Sequence, residues 1–230
     1  QRAIQLEPGR HDLLARLGSC CLKLKLPEIA IAALASPADN DRDNLSLQRI
    51  IGEAYIQAGL WDEAIRALEQ ATRIAPEDTQ IARLLAQAAH QGGHPQRAIE
   101  TLLQATRQGP NDASLQIDLA QSYCREKQWE DAKIAIERAV ELNPNEASHL
   151  LALSDCLISM DDITKAIQIL ERAALLKPQD QRVLTALAEA HSKAANHEAA
   201  HNVFIRAATL PSANTNSEMN DYRANRAFNL

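Results

Sequence analysis

Residues 197–201 read His197-Glu198-Ala199-Ala200-His201, two imidazoles four apart around a carboxylate. On a helix that spacing turns both rings to one side, where they could hold zinc while the glutamate activates a water. The context opposes it. His197 falls at a helix entrance, and Ala200 occupies a place where alanine recurs along the chain. The carboxylate that could be imagined as a third ligand, Glu218, lies beyond Pro211, and no further histidine follows at the metzincin spacing. Asp39-x-Asp41-x-Asp43 begins like a calcium loop, but such a loop needs glycine sixth and a bidentate glutamate twelfth. Those places hold Asn44 and Ile50. His11, His90, His94, His149 and His191 form no ligand-spaced set, and neither a G-x-S-x-G nor a phosphate-cradling glycine loop is present. The carboxylate pairs Glu77-Asp78, Glu130-Asp131 and Asp161-Asp162 stand at helix starts, where capping and the helix dipole account for them. No catalytic residue, metal site or cofactor is expected.

The four cysteines are Cys20, Cys21, Cys124 and Cys156, with no C-x-x-C pair. The spacing places Cys124 and Cys156 on corresponding helices of adjacent units. A bridge between them is conceivable, but free buried thiols in a reducing, cytoplasmic setting are the expected state. A balance of 24 basic and 30 acidic residues leaves a net charge of −6. That disfavours nucleic acid, which calls for a basic stripe. No run approaches the ~20 apolar residues of a membrane span, so no membrane insertion is expected.

The elements that carry these residues follow a fixed period. Pro76, Pro110, Pro144 and Pro178 are spaced 34 apart (110−76, 144−110, 178−144), and Pro8 lies two periods before Pro76. A constant period of this length means stacked like units rather than one globular core. The full units are 11–44, 45–78, 79–112, 113–146, 147–180 and 181–214. Residues 1–10 read as the end of a preceding unit whose first helix is missing, so the chain is expected to extend further toward its N-terminus. Residues 215–230 lose the period, and Met219, Tyr222, Ala227 and Leu230 could line a short capping helix.

Each unit carries a small residue at its eighth place, Gly18, Gly52, Ala86, Ala120, Ser154 and Ala188, and alanine at its twentieth, Ala30 through Ala200. Ala71, Ala105, Ala139, Ala173 and Ala207 fill the twenty-seventh place, with Pro37 the exception. Small residues at fixed places let two helix axes approach within the usual 8–10 Å. In the second unit Ile50, Ile51, Ala54, Tyr55 and Ala58 form one helical stripe, and Ala64, Ile65, Leu68 and Ala71 a second. Each unit therefore reads as helix A, a turn, helix B and a proline-marked exit. Asp78, Asn111, Asp112, Asn145 and Asp180 are placed to cap the next helix A. In the first unit, Pro37 predicts a helix B that stops near Ala35 or Ser36 and a solvated loop over 37–44.

This pattern resembles the tetratricopeptide-repeat family. It is clearest in Ile51-Gly52, Tyr55, Trp61, Ala64, Leu68, Ala71 and Pro76, and again in Leu119-Ala120, Tyr123, Trp129, Ala132, Ile136, Ala139 and Pro144. The resemblance implies an all-α fold, a right-handed superhelical solenoid of antiparallel helix pairs. It also implies a concave groove, lined by helices A, that takes extended peptides or short helices. The family's contact places fall on Arg49, Glu53, Arg83, Gln87, His90, Ile117, Gln121, Arg125, Leu151, Asp155 and Glu189, with Cys124, Ser148, Ser159 and Arg182 among their neighbours in the row. Arg49 and Arg83 share a place in adjacent units and could grip a carboxylate, which suits an acidic partner. Ile117, Leu151 and Ile158 could receive apolar side chains. Glu53 stands where the carboxylate-clamp variant has asparagine, and the asparagine row of glycosyltransferase arms is absent. The function expected is a non-catalytic scaffold for protein or peptide segments. The alternative is the substrate-recruiting arm of a larger enzyme, and a zinc hydrolase through His197, Glu198 and His201 is the remotest reading.

Overall fold

The computed structural model describes residues 11–209, so the expectations for 1–10 and 210–230 lie outside the described residues. All regular structure among them is α-helical. The helices are α1 (His11–Lys23), α2 (Pro27–Asn40), α3 (Leu45–Ala58), α4 (Trp61–Ile74), α5 (Thr79–Gln91), α6 (Pro95–Gln108), α7 (Ala113–Arg125), α8 (Trp129–Leu142), α9 (Ala147–Ser159), α10 (Ile163–Leu176), α11 (Gln181–Lys193) and α12 (His197–Ala208). The chain divides into two compact units at Pro110. In the first, α1–α2, α3–α4 and α5–α6 pair as hairpins, and α3 and α5 each pack on the hairpin before them. In the second, α7–α8, α9–α10 and α11–α12 pair likewise, and α9 and α11 each pack on the hairpin before them.

The six A-to-B turns share one construction. A residue with positive φ, Lys25, Gly59, Gly93, Lys127, Asp161 or Ala195, reverses the chain. The next amide then donates back into helix A, as in Leu60 N to the Tyr55 carbonyl (2.9 Å) and Gln128 N to that of Tyr123 (2.9 Å). This satisfies carbonyls the helix end would leave open. At the other junction Asp78, Asp112 and Asp180 cap helices A as expected, Asp78 Oδ1 accepting from Gln80 N (3.0 Å) and Ile81 N (3.3 Å). Asn145 is not the cap of α9. Glu146, one residue on, takes that role and accepts from Ser148 N.

The small places do what their spacing demands. A Cβ on Gly52 would lie 2.6 Å from Leu68 Cγ, and one on Gly18 would lie 2.5 Å from Leu34 Cδ1. Leu34, Leu47, Leu68, Leu115, Leu150 and Leu170 are fully enclosed. Each such burial contributes roughly 1.5–3 kcal/mol, and aliphatic packing carries both units. Successive hairpins are also tied along helices B. Arg172 donates to the Pro144 carbonyl (2.6 Å) and Arg206 to that of Pro178 (2.9 Å).

Two expectations are corrected. Helix α2 does not stop at Ala35 but runs through Pro37 to Asn40, as long as the other full helices B. Pro37 sits near the C-terminus, so its ring deprives only the Ala33 carbonyl of a helical partner. The turn beyond it is held from outside: Gln48, only 5% exposed, donates from Nε2 to the Ala38 carbonyl at 2.7 Å. Asp39 is thus helical, and Asp41 lies 2.8 Å from His11 Nδ1, so the three aspartates form no loop around a cation. Second, Cys20 is exposed, while Cys21, Cys124 and Cys156 are buried; all four are free thiols.

Candidate functional site

The residues predicted from the sequence lie on helices A, and each unit carries its own set. In the first unit α3 carries Arg49 and Glu53, and α5 carries Arg83, Gln87 and His90. Arg49 is exposed, and its Nη1 lies 3.7 Å from Glu53 Oε1 one turn on. Burial pushes the Glu53 carboxyl up, and Arg49 only partly offsets that. The arginine that was to grip a partner's carboxylate thus already faces one from its own helix. Gln87 is exposed, and Arg83 and His90 are half-buried.

In the second unit α7, α9 and α11 enclose a cleft of about 180 Å³. Its walls bring together Ile117, Gln121, Leu151 and Asp155 of the predicted set, with Cys124, Ser148, Ser159 and Arg182 from the same row. The floor is apolar: Ala120, Ala152, Leu151, and Trp129 and Ile136 reaching through from α8. Alanines at these helical places open the space that a larger side chain would fill. The rim is polar. Arg182 is held by Asp180, its Nη2 3.1 Å from Oδ2. Burial would raise the Asp180 carboxyl, but the Arg182 guanidinium and the backbone amides of 182 and 183 outweigh it and hold it below the usual carboxylate range.

Arg125 and Glu189 do not line the cleft. Ile158, expected to receive a partner's side chain, is 6% exposed and likewise not in its walls. Sequence reasoning missed Trp129, Ile136 and Cys156. Trp129 and Ile136 carry the repeat pattern, which does not mark them as lining, and the place of Cys156 in the wall depends on how α9 is rotated against α7. A larger cleft of about 450 Å³ in the first unit is lined from α2, α3 and α4. Charged side chains crowd it, and several are already satisfied: Arg66 lies 3.4 Å from Glu63, and Arg73 donates to Gln70.

The H-E-x-x-H residues sit at the start of α12, with His197, Glu198 and His201 all exposed. Among the described residues no group of three His, Cys, Asp or Glu side chains is arranged to hold a metal ion. No described helix is long and apolar enough to cross a membrane.

Residues 51–113 match the family model described as tetratricopeptide repeat, and residues 98–173 match that of anaphase-promoting complex, cyclosome, subunit 3, which is tetratricopeptide-like. The chain belongs to the tetratricopeptide-repeat family. Solved structures of this fold agree. MamA is 25% identical, with 68% of this chain and 92% of that one covered at a TM-score of 0.60. A form of MamA from Desulfovibrio magneticus RS-1 is 21% identical, covering 72% and 94% at 0.63. YrrB, described as a TPR protein with an unusual peptide-binding site, is 18% identical, covering 84% and 96% at 0.64. Among curated proteins, none matches the sequence. The tetratricopeptide fold is that of a protein-interaction scaffold in general, and partners of this repeat protein are expected to be proteins.

Proposed function

We propose that this repeat protein is a non-catalytic scaffold that binds an extended protein segment along the helix-A face of its second unit. The observation that carries the reading is the cleft between α7 and α9, apolar at its floor and polar at its rim. A cavity of roughly 150 Å³ accommodates a benzene-sized group, so a cleft of about 180 Å³ suits one leucine- or phenylalanine-sized side chain. At the rim the Gln121 amide offers a donor and an acceptor to the backbone of a segment lying across it, and the hydroxyl oxygens of Ser148 and Ser159, whose protons go to Glu146 and the Asp155 carbonyl, offer acceptors. In the first unit, Arg49 and Arg83 are the candidates for contact with a partner's acidic residues. That contact requires Glu53 to release Arg49.

Selection of a random peptide library on the purified protein tests the reading. Selected peptides should share an apolar anchor. They should bind Ala152→Trp, which fills the cleft, at least tenfold more weakly, a change of about 1.4 kcal/mol. Far-UV circular dichroism should stay unchanged. Peptides that bind both proteins equally would refute the cleft assignment. Charge reversal at Arg49 and Arg83 together should weaken acidic ligands by a similar factor and leave neutral ones alone.

A further inference from the structure

The wall of the cleft also holds two thiols. Cys124 of α7 and Cys156 of α9 line one cleft across the repeat boundary, each side chain near enough to shift the other's titration, and both sulfurs are free thiols. Cys156 Sγ also lies 3.3 Å from the Trp129 carbonyl, to which its thiol donates. Both residues line the cleft, so the small space above them reaches the pair although Cys124 is 7% and Cys156 1% exposed.

We propose that Cys124 and Cys156 are a two-electron oxidation site that closes to a disulfide, tying α7 to α9. Hydrogen peroxide is an oxidant small enough for the cleft. Their mutual effect divides the roles of the two sulfurs. As a donor to the Cys156 thiolate, the Cys124 side chain pulls the Cys156 thiol down, against burial and the carboxylates of Glu130 and Glu137 and with help from Lys133. That same donation, burial, and the negative charge of Cys156 and Asp155 push Cys124 up. Cys156 is therefore the nucleophile, since the thiolate is the reactive form. The Cys156 thiolate attacks one peroxide oxygen, the O–O bond breaks, and hydroxide leaves, giving Cys156 sulfenic acid. Cys124 then gives up its proton and attacks the Cys156 sulfur. The S–O bond breaks, an S–S bond forms, and water departs. Two thiols and one peroxide yield one disulfide and two waters. Two thiols on the walls of one cleft of about 180 Å³ can approach by side-chain motion to form the ~2.05 Å bond. The proposal does not rest on the peptide-binding reading, and a side chain seated in the cleft would shield the pair.

The test uses the reduced full chain, treated with limiting hydrogen peroxide, then alkylated in denaturant and mapped by mass spectrometry. A parallel sample is treated in urea. The expected result is a cross-linked peptide pair containing Cys124 and Cys156, lighter by two hydrogens. It should form at least about tenfold faster in the folded chain than in the unfolded one, where the two thiols meet only by chain diffusion. In Cys124→Ser the sulfenic acid should persist at Cys156 and be trapped by dimedone. Recovery of both residues as alkylated thiols while exposed Cys20 is oxidised would overturn the proposal. So would a cross-link no faster than in urea, or a sulfinic acid at Cys156 without one.

Discussion

The repeat packing makes a sharp prediction at Gly52. Its missing side chain is filled by Leu68 of the facing helix, which is fully buried. An alanine Cβ there would stand 2.6 Å from Leu68 Cγ and 2.8 Å from Cδ2, distances that real contacts do not sustain. Two effects compete. Alanine in a helix interior is favoured over glycine by about 1 kcal/mol. Overpacking costs roughly 1–3 kcal/mol. Gly52→Ala should therefore destabilise the protein by about 0–2 kcal/mol. Leu68→Ala alone should cost about 2–5 kcal/mol through the cavity it leaves. In that background the obstructing atoms are gone, so Gly52→Ala should change sign and stabilise by about 1 kcal/mol. Urea titrations of the four chains, followed by far-UV circular dichroism, measure this cycle provided the slopes agree. An effect of Gly52→Ala that is the same in both backgrounds to within about 0.5 kcal/mol would refute the packing argument.

Three further outcomes are expected. Gly93 has φ +78° and open space where a Cβ would project, so Gly93→Ala isolates backbone strain and should cost about 1 kcal/mol; Ala195→Gly, at φ +59°, should return up to ~1 kcal/mol in the same thermal assay. Arg206→Met, which removes the bond to the Pro178 carbonyl, should cost about 0.5–1 kcal/mol, more than Arg138→Met, whose guanidinium pairs within its own helix with Glu141. Because the Asp180 carboxyl is held below its unfolded value, its stabilisation is fully present above pH ~4 and is lost as pH falls through the folded value; Asp180→Asn should therefore lower stability at pH 7 and flatten its decline toward acid.

The repeat architecture is legible in the sequence because its signals are local and recur: the prolines at helix exits, the alanines at close contacts, and Asp78, Asp112 and Asp180 one residue before their helices. Local rules fail where a distant group intervenes. Pro37 reads as a helix stop, but Gln48 holds the turn beyond it from the next helix. Asn145 reads as a cap, but Glu146 has the longer reach to Ser148. Of the groove residues, Ile117, Gln121, Leu151 and Asp155 share one cleft because their places on successive helices A align. Ile158 has the same composition signal but does not line the cleft. The spacing puts Cys124 and Cys156 on neighbouring helices A, but that both face one cleft depends on helix rotations the spacing does not specify.

Methyl NMR of the isoleucine and leucine side chains, during titration with a library-selected peptide, tests most directly whether the helix-A cleft is the binding site. Shifts concentrated at Ile117 and Leu151, with Ile31 and Leu176 on helices B unmoved, are the predicted result. Perturbations clustered on helices B, with Ile117 and Leu151 silent at saturation, would contradict it.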